Sequence, residues 1–220
     1  MSLVELCTHG DLEGVKATLQ CGTDVNRKEK NGGWTGLMYA VHHNHNSVVA
    51  LLLNTPAIDV NWMSDRGTCA LHQAVYNKNN EGLKLLLNFP TIDVNIVKND
   101  GYSALHSAVL SENNEGLKML LNVPTIDVNI VGDDNASAVH WAVRNNNIEM
   151  LKLLLSHQRL TAFTLNLKDK LDGDTPVMRA VMLKKEEHLA LLAADPRVDL
   201  ETTEKEGRSL EEMASKRWIF

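Results

Sequence analysis

Residues 67–100 read GTCALHQAVYNKNNEGLKLLLNFPTIDVNIVKND, and residues 101–134 read GYSALHSAVLSENNEGLKMLLNVPTIDVNIVGDD. When the two stretches are aligned end to end, 24 of the 34 positions are identical. Self-similarity at a fixed period of this size is typical of stacked supersecondary units rather than of one globular core. A unit with two short apolar helical faces cannot bury both by itself, so neighbouring units must stack to complete the core. The sequence therefore predicts a repeat array.

A landmark of the form Gly-x-[Thr/Ser]-x-[Leu/Val]-x-x-Ala opens each unit. It begins at residues 33, 67, 101, 135, 173 and 207, so successive landmarks are 34, 34, 34, 38 and 34 residues apart. In that order the landmarks read GWTGLMYA, GTCALHQA, GYSALHSA, NASAVHWA, GDTPVMRA and GRSLEEMA. The third position usually holds a short polar residue that can cap the first turn of a helix. Residues that fit this role are Thr35, Ser103, Ser137, Thr175 and Ser209, whereas Cys69 does not. The landmark thus predicts where a first helix begins in each unit.

An apolar stretch ending in paired or tripled leucines follows each landmark and predicts a second helix. These stretches are residues 48–53, 83–87, 117–121, 150–155 and 189–192, and residues 1–32 show the same order in shorter form. Gly82 and Gly116 fall inside second helices, where glycine costs ~1 kcal/mol relative to alanine. They indicate close helix packing, a tolerated weakness or a functional groove. The four extra residues after Leu155 are either a neutral insertion or a binding loop.

The landmark resembles the G-x-T-P-L-H-x-A signature of ankyrin repeats, and Asp-Val-Asn resembles the end of that family's unit, over essentially the whole chain. The resemblance implies an all-α solenoid of helix-turn-helix units with β-hairpin fingers, in a single domain of residues 1–220. Repeats are expected at residues 1–32, 33–66, 67–100, 101–134, 135–172 and 173–206, with a C-terminal cap at residues 207–220. The departures, such as proline at the fourth landmark position only as Pro176, do not alter this prediction. Trp218, Ile219 and Phe220 are expected to seal the last repeat.

The composition argues against several classes of partner. The formal net charge is −6, whereas a nucleic-acid partner would need a clustered basic face. No apolar run approaches the ~18 residues of a membrane span, and the amino-terminal residues lack the pattern of a signal peptide. Cys7, Cys21 and Cys69 are scattered, which favours a reduced setting inside the cell. We therefore expect a monomer in the cytoplasm or nucleus.

The sequence carries no pattern that indicates catalysis, a cofactor or a metal. It has no Gly-x-Ser-x-Gly elbow, phosphate-binding glycine loop or His-Glu-x-x-His, and the repeated carboxylates Asp59, Asp93, Asp127 and Asp199 fall in turns. His72, His106 and His140 recur one repeat apart, too far to share a metal. The resemblance implies that they hydrogen-bond between repeats. His42, His43 and His45 lie close together but have no acidic or cysteine ligand beside them.

Asparagines recur at the end of each unit. Asn26, Asn61, Asn95, Asn129 and Asn166 are interpreted as turn residues that tolerate the left-handed conformation. In ankyrin-like proteins such asparagines can be targets of an intracellular asparaginyl hydroxylase. By resemblance, the candidates for this modification are Asn61, Asn95 and Asn129.

The resemblance also implies a concave face, lined by the fingers and first helices, that usually binds proteins. Residues expected on it include Trp34, Tyr39, Trp62, Tyr76, Tyr102, Trp141, Arg144 and Arg179. These are the residue types enriched at binding hot spots. Trp62, Ile96 and Ile130 directly follow Asp-Val-Asn, and this apolar strip indicates either packing between fingers or a docking strip.

The preferred function is a non-enzymatic adaptor, scaffold or inhibitor that binds a protein partner through the concave face. The alternative is a nucleotide- or small-molecule-sensing regulatory domain, because NGGWTGLMYAV at residues 31–41 resembles the repeat opening of the oligoadenylate-dependent ribonuclease. There an aromatic residue stacks on a base, and Trp34 would be its counterpart. A third possibility is self-association through the apolar end SKRWIF.

Overall fold

Short helices make up most of the chain. The computed structural model describes residues 1–203 and 207–218. The helices in these residues are α1 (Leu3–His9), α2 (Leu12–Gln20), α3 (Gly36–His42), α4 (Asn46–Leu53), α5 (Ala70–Tyr76), α6 (Asn80–Leu87), α7 (Ala104–Leu110), α8 (Asn114–Leu121), α9 (Ala138–Arg144), α10 (Ile148–Ser156), α11 (Ala162–Asn166), α12 (Pro176–Met182), α13 (Glu186–Ala193) and α14 (Leu210–Trp218). All are shorter than the ~12–15 residues that an isolated helix needs in water. Packing between helices must therefore stabilise them.

The helices stack in two layers. First helices α1, α3, α5, α7, α9, α12 and α14 contact one another in that order, and second helices α2, α4, α6, α8, α10 and α13 form a parallel series. The main core lies between the layers from α1 to α13, with leucines such as Leu71, Leu83, Leu105 and Leu117 almost fully buried. A separate small cluster of Met178, Val181 and Met213 packs α14 against α12. The predicted all-α solenoid is confirmed. Ile219 and Phe220, expected to help seal the last repeat, lie outside the described residues.

The first helices begin where the landmark predicts. Thr35 precedes α3 and its hydroxyl accepts the N–H of Met38 (3.5 Å). Cys69 precedes α5 but its thiol caps no backbone N–H, as expected, and Sγ lies 3.0 Å from Nδ1 of His72. The hydroxyls of Ser103 and Ser137 lie 3.0 and 2.9 Å from Nδ1 of the histidine three residues on and also cap no backbone N–H, which differs from the expectation for these two serines.

The histidines of the first helices connect successive repeats. The backbone N–H of Ser103 donates to Nδ1 of His106 (3.2 Å), and Nε2 of His106 lies 3.1 Å from the carbonyl oxygen of Ala136 in the next repeat. Because Nδ1 accepts an N–H, the ring is neutral and its proton is on Nε2. The prediction that these residues are structural is confirmed. His72 makes the same bond to Tyr102 of the next repeat. His140 differs, because its Nε2 lies 3.0 Å from the carbonyl of Leu167 in its own repeat.

The second helices are joined to the preceding repeat by asparagines at their N-caps. The side-chain oxygen of Asn79 accepts the N–H of Gly82 (2.8 Å), while its amide donates to the carbonyl of Val41 (3.0 Å) and to Asn46 (2.9 Å). Gly82 is required by this bonding, since a Cβ there would lie 2.5 Å from Asn79 Nδ2. Gly116 has the same relation to Asn113. Close packing therefore explains both glycines.

Substituting Gly82 by alanine should destabilise the protein, although alanine is intrinsically the better helix former by ~1 kcal/mol. The added Cβ would displace the Asn79 amide and break its bonds to the preceding repeat. We expect the free energy of unfolding in urea to fall by about 1–3 kcal/mol. The double variant Asn79→Ala/Gly82→Ala should be no less stable than Asn79→Ala alone, because the clashing group is gone. Additive losses would contradict this explanation.

The fingers are tighter than the expected β-hairpins. In the part of the chain that the structure describes, they contain only isolated bridges: Lys28 with Thr35, Val97 with Ser103, Val131 with Ser137 and Thr203 with Ser209. Gly101, at φ 79°, turns the chain back so that the N–H of Lys98 donates to the carbonyl of Tyr102 (3.0 Å). The next helix then starts at once, which leaves no room for longer strands. Neighbouring fingers are joined by backbone bonds such as Asn99 N–H to Arg66 O (3.3 Å).

Candidate functional site

Three rings pack together at the amino-terminal end of the face formed by fingers and first helices. The ring centroid of Trp34 lies 5.0 Å from that of Tyr39 and 5.4 Å from that of His42. The Tyr39 hydroxyl donates to the Glu29 carboxylate, and burial together with this carboxylate raises the pKa of Tyr39 to about 12. We call Trp34, Tyr39 and His42 the amino-terminal aromatic cluster. The orientations of its rings are set by their contacts with one another and with Glu29.

A second group of rings lies two repeats further along. The Tyr102 hydroxyl donates to Asp134 (2.7 Å) and accepts the indole N–H of Trp141 (3.2 Å). Its ring stacks on His106 with centroids 4.9 Å apart. Burial raises the pKa of Tyr102, and the Asp134 carboxylate raises it further. The Arg144 guanidinium lies 5.0 Å above the Trp141 ring, which is cation–π geometry. We call Tyr102, Trp141 and Arg144 the central aromatic cluster.

Tyr76 stands between the two clusters. It is 61% exposed and borders a cavity of about 190 Å³ lined by Thr68, His72, Gln73, Tyr76, Lys98 and Ser107. A neighbouring cavity of about 320 Å³ is lined by Asn31, Gly32, Trp34, Tyr39, Arg66, Thr68 and Gln73. Thr68 and Gln73 line both, so the two cavities are adjacent between the amino-terminal cluster and Tyr76. We call the two cavities together the Gln73 groove.

The comparisons with known proteins agree with this architecture. The family model for ankyrin repeats matches the chain in three copies, at residues 3–98, 58–132 and 123–204. The chain belongs to the ankyrin repeat family. Among solved structures it is similar to the ankyrin repeat domain of Bcl-3, which is described as a unique member of the IkappaB protein family. The TM-score is 0.84 and the sequence identity 24%, and the match covers 97% of this chain and 93% of the Bcl-3 chain. At this identity the likeness concerns the fold.

Six of the residues expected on the concave face of the ankyrin array take part in the two aromatic clusters or the groove: Trp34, Tyr39, Tyr76, Tyr102, Trp141 and Arg144. Trp62 lies among the fingers, where its indole N–H donates to the carbonyl of Gly33 (3.1 Å) and its ring packs against the core. Ile96 also packs against the core, and Ile130 is half-buried. These contacts favour packing between fingers over a docking strip.

Arg179 differs from the expectation. It is only 8% exposed, and its guanidinium lies 3.0 Å from Asp169 and 3.5 Å from Asp174 and also bonds to Asp172. Burial by itself would lower the pKa of Arg179, but the three carboxylates outweigh burial and raise it. A guanidinium engaged in this way is not available to a partner.

The asparagines at the repeat ends join neighbouring repeats instead of adopting left-handed turns. The amide of Asn95 donates to the carbonyl of Thr125 (2.9 Å), and its oxygen accepts the N–H of Asp127 (2.8 Å). Asn26, Asn61, Asn129 and Asn166 make the same pair of bonds. The left-handed interpretation is wrong: among the described residues other than glycine, positive φ occurs at Asn44, Ala57, Lys78, Glu112, Asn135, Asn146 and Lys184. Hydroxylation of Asn61, Asn95 and Asn129 stays a prediction.

The histidines near the end of α3 are occupied by structural bonds. His45 Nε2 lies 3.0 Å from the carbonyl of Thr8, and His42 Nδ1 lies 3.1 Å from the side-chain oxygen of Gln73. Within residues 1–203 and 207–218, no group of three histidine, cysteine or acidic side chains is arranged to hold a metal ion. The helices described there also include none that is long and apolar enough to cross a membrane.

Sequence reasoning missed several residues of the Gln73 groove, among them Gln73 itself, Arg66 and Lys98. Gln73 stands three positions before Tyr76 on α5, so helical spacing places both on one face. Arg66 directly precedes the landmark glycine Gly67 and could have been found from its position at the fingertip. The inserted segment after α10 forms α11, where Phe163 is 74% exposed.

Proposed function

We propose that this ankyrin repeat protein is a non-enzymatic interaction module that binds a partner protein through its concave face, as an adaptor, scaffold or inhibitor. The observation that carries the proposal is the exposed Tyr76, standing between two clusters of rings that are already fixed by contacts with their neighbours. Tyrosine, tryptophan and arginine are enriched at binding hot spots. Rings fixed in advance lose little conformational entropy on binding. Membership of the ankyrin repeat family supports the same conclusion.

The role of Tyr76 is tested by Tyr76→Ala. The ring is largely exposed and the variant should fold, whereas Trp34, Tyr102 and Trp141 are half-buried and their removal would also disturb packing. We expect proteins captured from source-cell lysate by the parent to be captured about tenfold less by the variant, as for a hot-spot residue. Phe163→Ala removes an exposed ring of α11 that belongs to neither aromatic cluster nor the Gln73 groove, and it should leave capture unchanged. Equal capture by the parent and both variants would place the binding surface elsewhere.

A nucleotide-sensing domain is the second candidate, because Arg66 lines the same cavity as Trp34 and could face a phosphate. Against it, the Trp34 ring already contacts two other rings and packs against the core, which reduces the ring area left for a base. Titration with ATP, followed by tryptophan fluorescence, distinguishes the two functions. Saturable quenching that is lost in Trp34→Phe would favour nucleotide sensing.

A further inference from the structure

The charged residues that line the Gln73 groove are all cationic. Arg66 borders the larger cavity and Lys98 the smaller one, and no carboxylate lines either of them among the described residues. This is unusual in a chain whose formal net charge is −6. Lys98 is shared with Asp100, whose carboxylate lies 3.2 Å from Lys98 Nζ. Arg66 is therefore the cation of the groove that has no ion pair among the described residues, and a carboxylate that enters competes with Asp100 for Lys98 in a weak surface ion pair.

Two donors in the groove have unused hydrogen-bonding capacity. The Arg66 side chain is exposed and makes no hydrogen bond or ion pair within the described part of the chain. The Gln73 side-chain oxygen is bonded to His42 and Asn77, while Nε2 of Gln73 has no partner in residues 1–203 and 207–218. A guanidinium and an amide N–H are suited to a carboxylate and a backbone carbonyl, respectively.

The spacing of neighbouring repeats suits an extended chain that contacts Arg66 and Lys98. Arg66 and Lys98 belong to neighbouring fingers, which are joined by the bond from the Asn99 N–H to the Arg66 carbonyl. Neighbouring repeats lie about 8–10 Å apart, as packed helices do. An extended segment rises about 3.3 Å per residue, so it advances about three residues between the two fingers.

We propose that the Gln73 groove binds an extended acidic segment of a partner protein. One carboxylate of the segment pairs with Arg66, and a second about three residues away takes the place of Asp100 at Lys98. An apolar or aromatic side chain of the segment lies in the groove beside Tyr76. Nε2 of Gln73 donates to a backbone carbonyl of the segment. This inference rests on the proposed function, and it adds the chemistry of the partner and the part of the concave face that recognises it.

The test is selection of a phage-displayed library of random dodecapeptides on the full chain, followed by affinity measurement with the selected peptides. We expect the parent to enrich peptides with aspartate or glutamate at a spacing of about three residues and an apolar or aromatic residue near them. Arg66→Glu should weaken their binding about tenfold or more, because it replaces a charge-assisted bond with repulsion. Lys84→Glu makes the same change of charge at an exposed position on a second helix and should have little effect.

Folding is checked for each variant by circular dichroism and thermal unfolding, and Arg66→Lys, which keeps the charge, should retain most of the binding. Enrichment of neutral or basic peptides that are lost in Tyr76→Ala would overturn the acidic segment while leaving protein binding at the concave face intact. Selected peptides that bind the parent, Arg66→Glu and Tyr76→Ala equally would overturn both proposals. Equal weakening by Arg66→Glu and Lys84→Glu would reduce the effect to overall charge and also overturn the inference.

Discussion

Lowering the pH from 7 to 5 should destabilise the array by about 4 kcal/mol through the histidines that join its repeats. Burial lowers the pKa of His72 and His106 to about 4 and also lowers that of His140. The unfolded chain, with ordinary histidine pKa values near 6.5, therefore binds more protons than the folded one in this range. The stabilisation that these neutral histidines give the folded state is fully present above pH ~6.5, and it is lost as the pH falls from there towards 4. Each of His72 and His106 contributes about 2 kcal/mol at pH 5.

The measurement is the urea midpoint by circular dichroism at closely spaced pH values between 7 and 5. This range lies above the ordinary pKa values of the carboxylates, so histidines dominate the change. His106→Gln is the control: it should be less stable than the parent at pH 7, since it loses bonds to Ser103 and Ala136, but should depend less on pH. Identical pH dependence in parent and variant would show that His106 does not titrate as its burial requires.

Replacing Arg179 by methionine should cost about 3–5 kcal/mol, because it leaves a buried carboxylate without its counter-charge. Asp169 is 3% exposed and lies 3.0 Å from the Arg179 guanidinium. Burial alone would raise the pKa of Asp169, but the N–H of Asp172 and the Arg179 guanidinium outweigh burial and lower it. Without the guanidinium, the backbone N–H groups of Asp172 and Gly173 remain as donors to the carboxylate, but no positive charge offsets its burial.

The stability lost in Arg179→Met should be confined to the repeats around α12. Each repeat contacts only its neighbours, so hydrogen exchange should show lost protection in α12 to α14 while α3 to α8 stay protected. Arg144→Met, which removes a partly exposed partner 3.7 Å from Asp172, should cost at most about 1 kcal/mol. The double variant Asp169→Asn/Arg179→Met should recover part of the stability. Uniform deprotection of the array, or an equal cost for both arginines, would contradict the buried ion cluster.

The sequence by itself determined the repeat and the two helices of each unit. These follow from local rules: a cap and an apolar face recur with the helical period, and the same pattern recurs every 34 residues or so. The structural role of the landmark histidines was implied by the resemblance to ankyrin repeats. Six of the eight residues that the resemblance assigned to the concave face lie in the two aromatic clusters or the Gln73 groove, and their binding role stays a prediction.

Only the tertiary structure decided which partners these side chains have. Asn95 is a bridge and not a left-handed turn because its amide faces the backbone of the following repeat. Arg179 is buried because Asp169, ten residues away along the chain, is turned towards it by the finger. The Gln73 groove combines Trp34 with Lys98 and exists only once three repeats are stacked. Local pattern specifies the unit, but contacts some thirty residues apart depend on how the units stack.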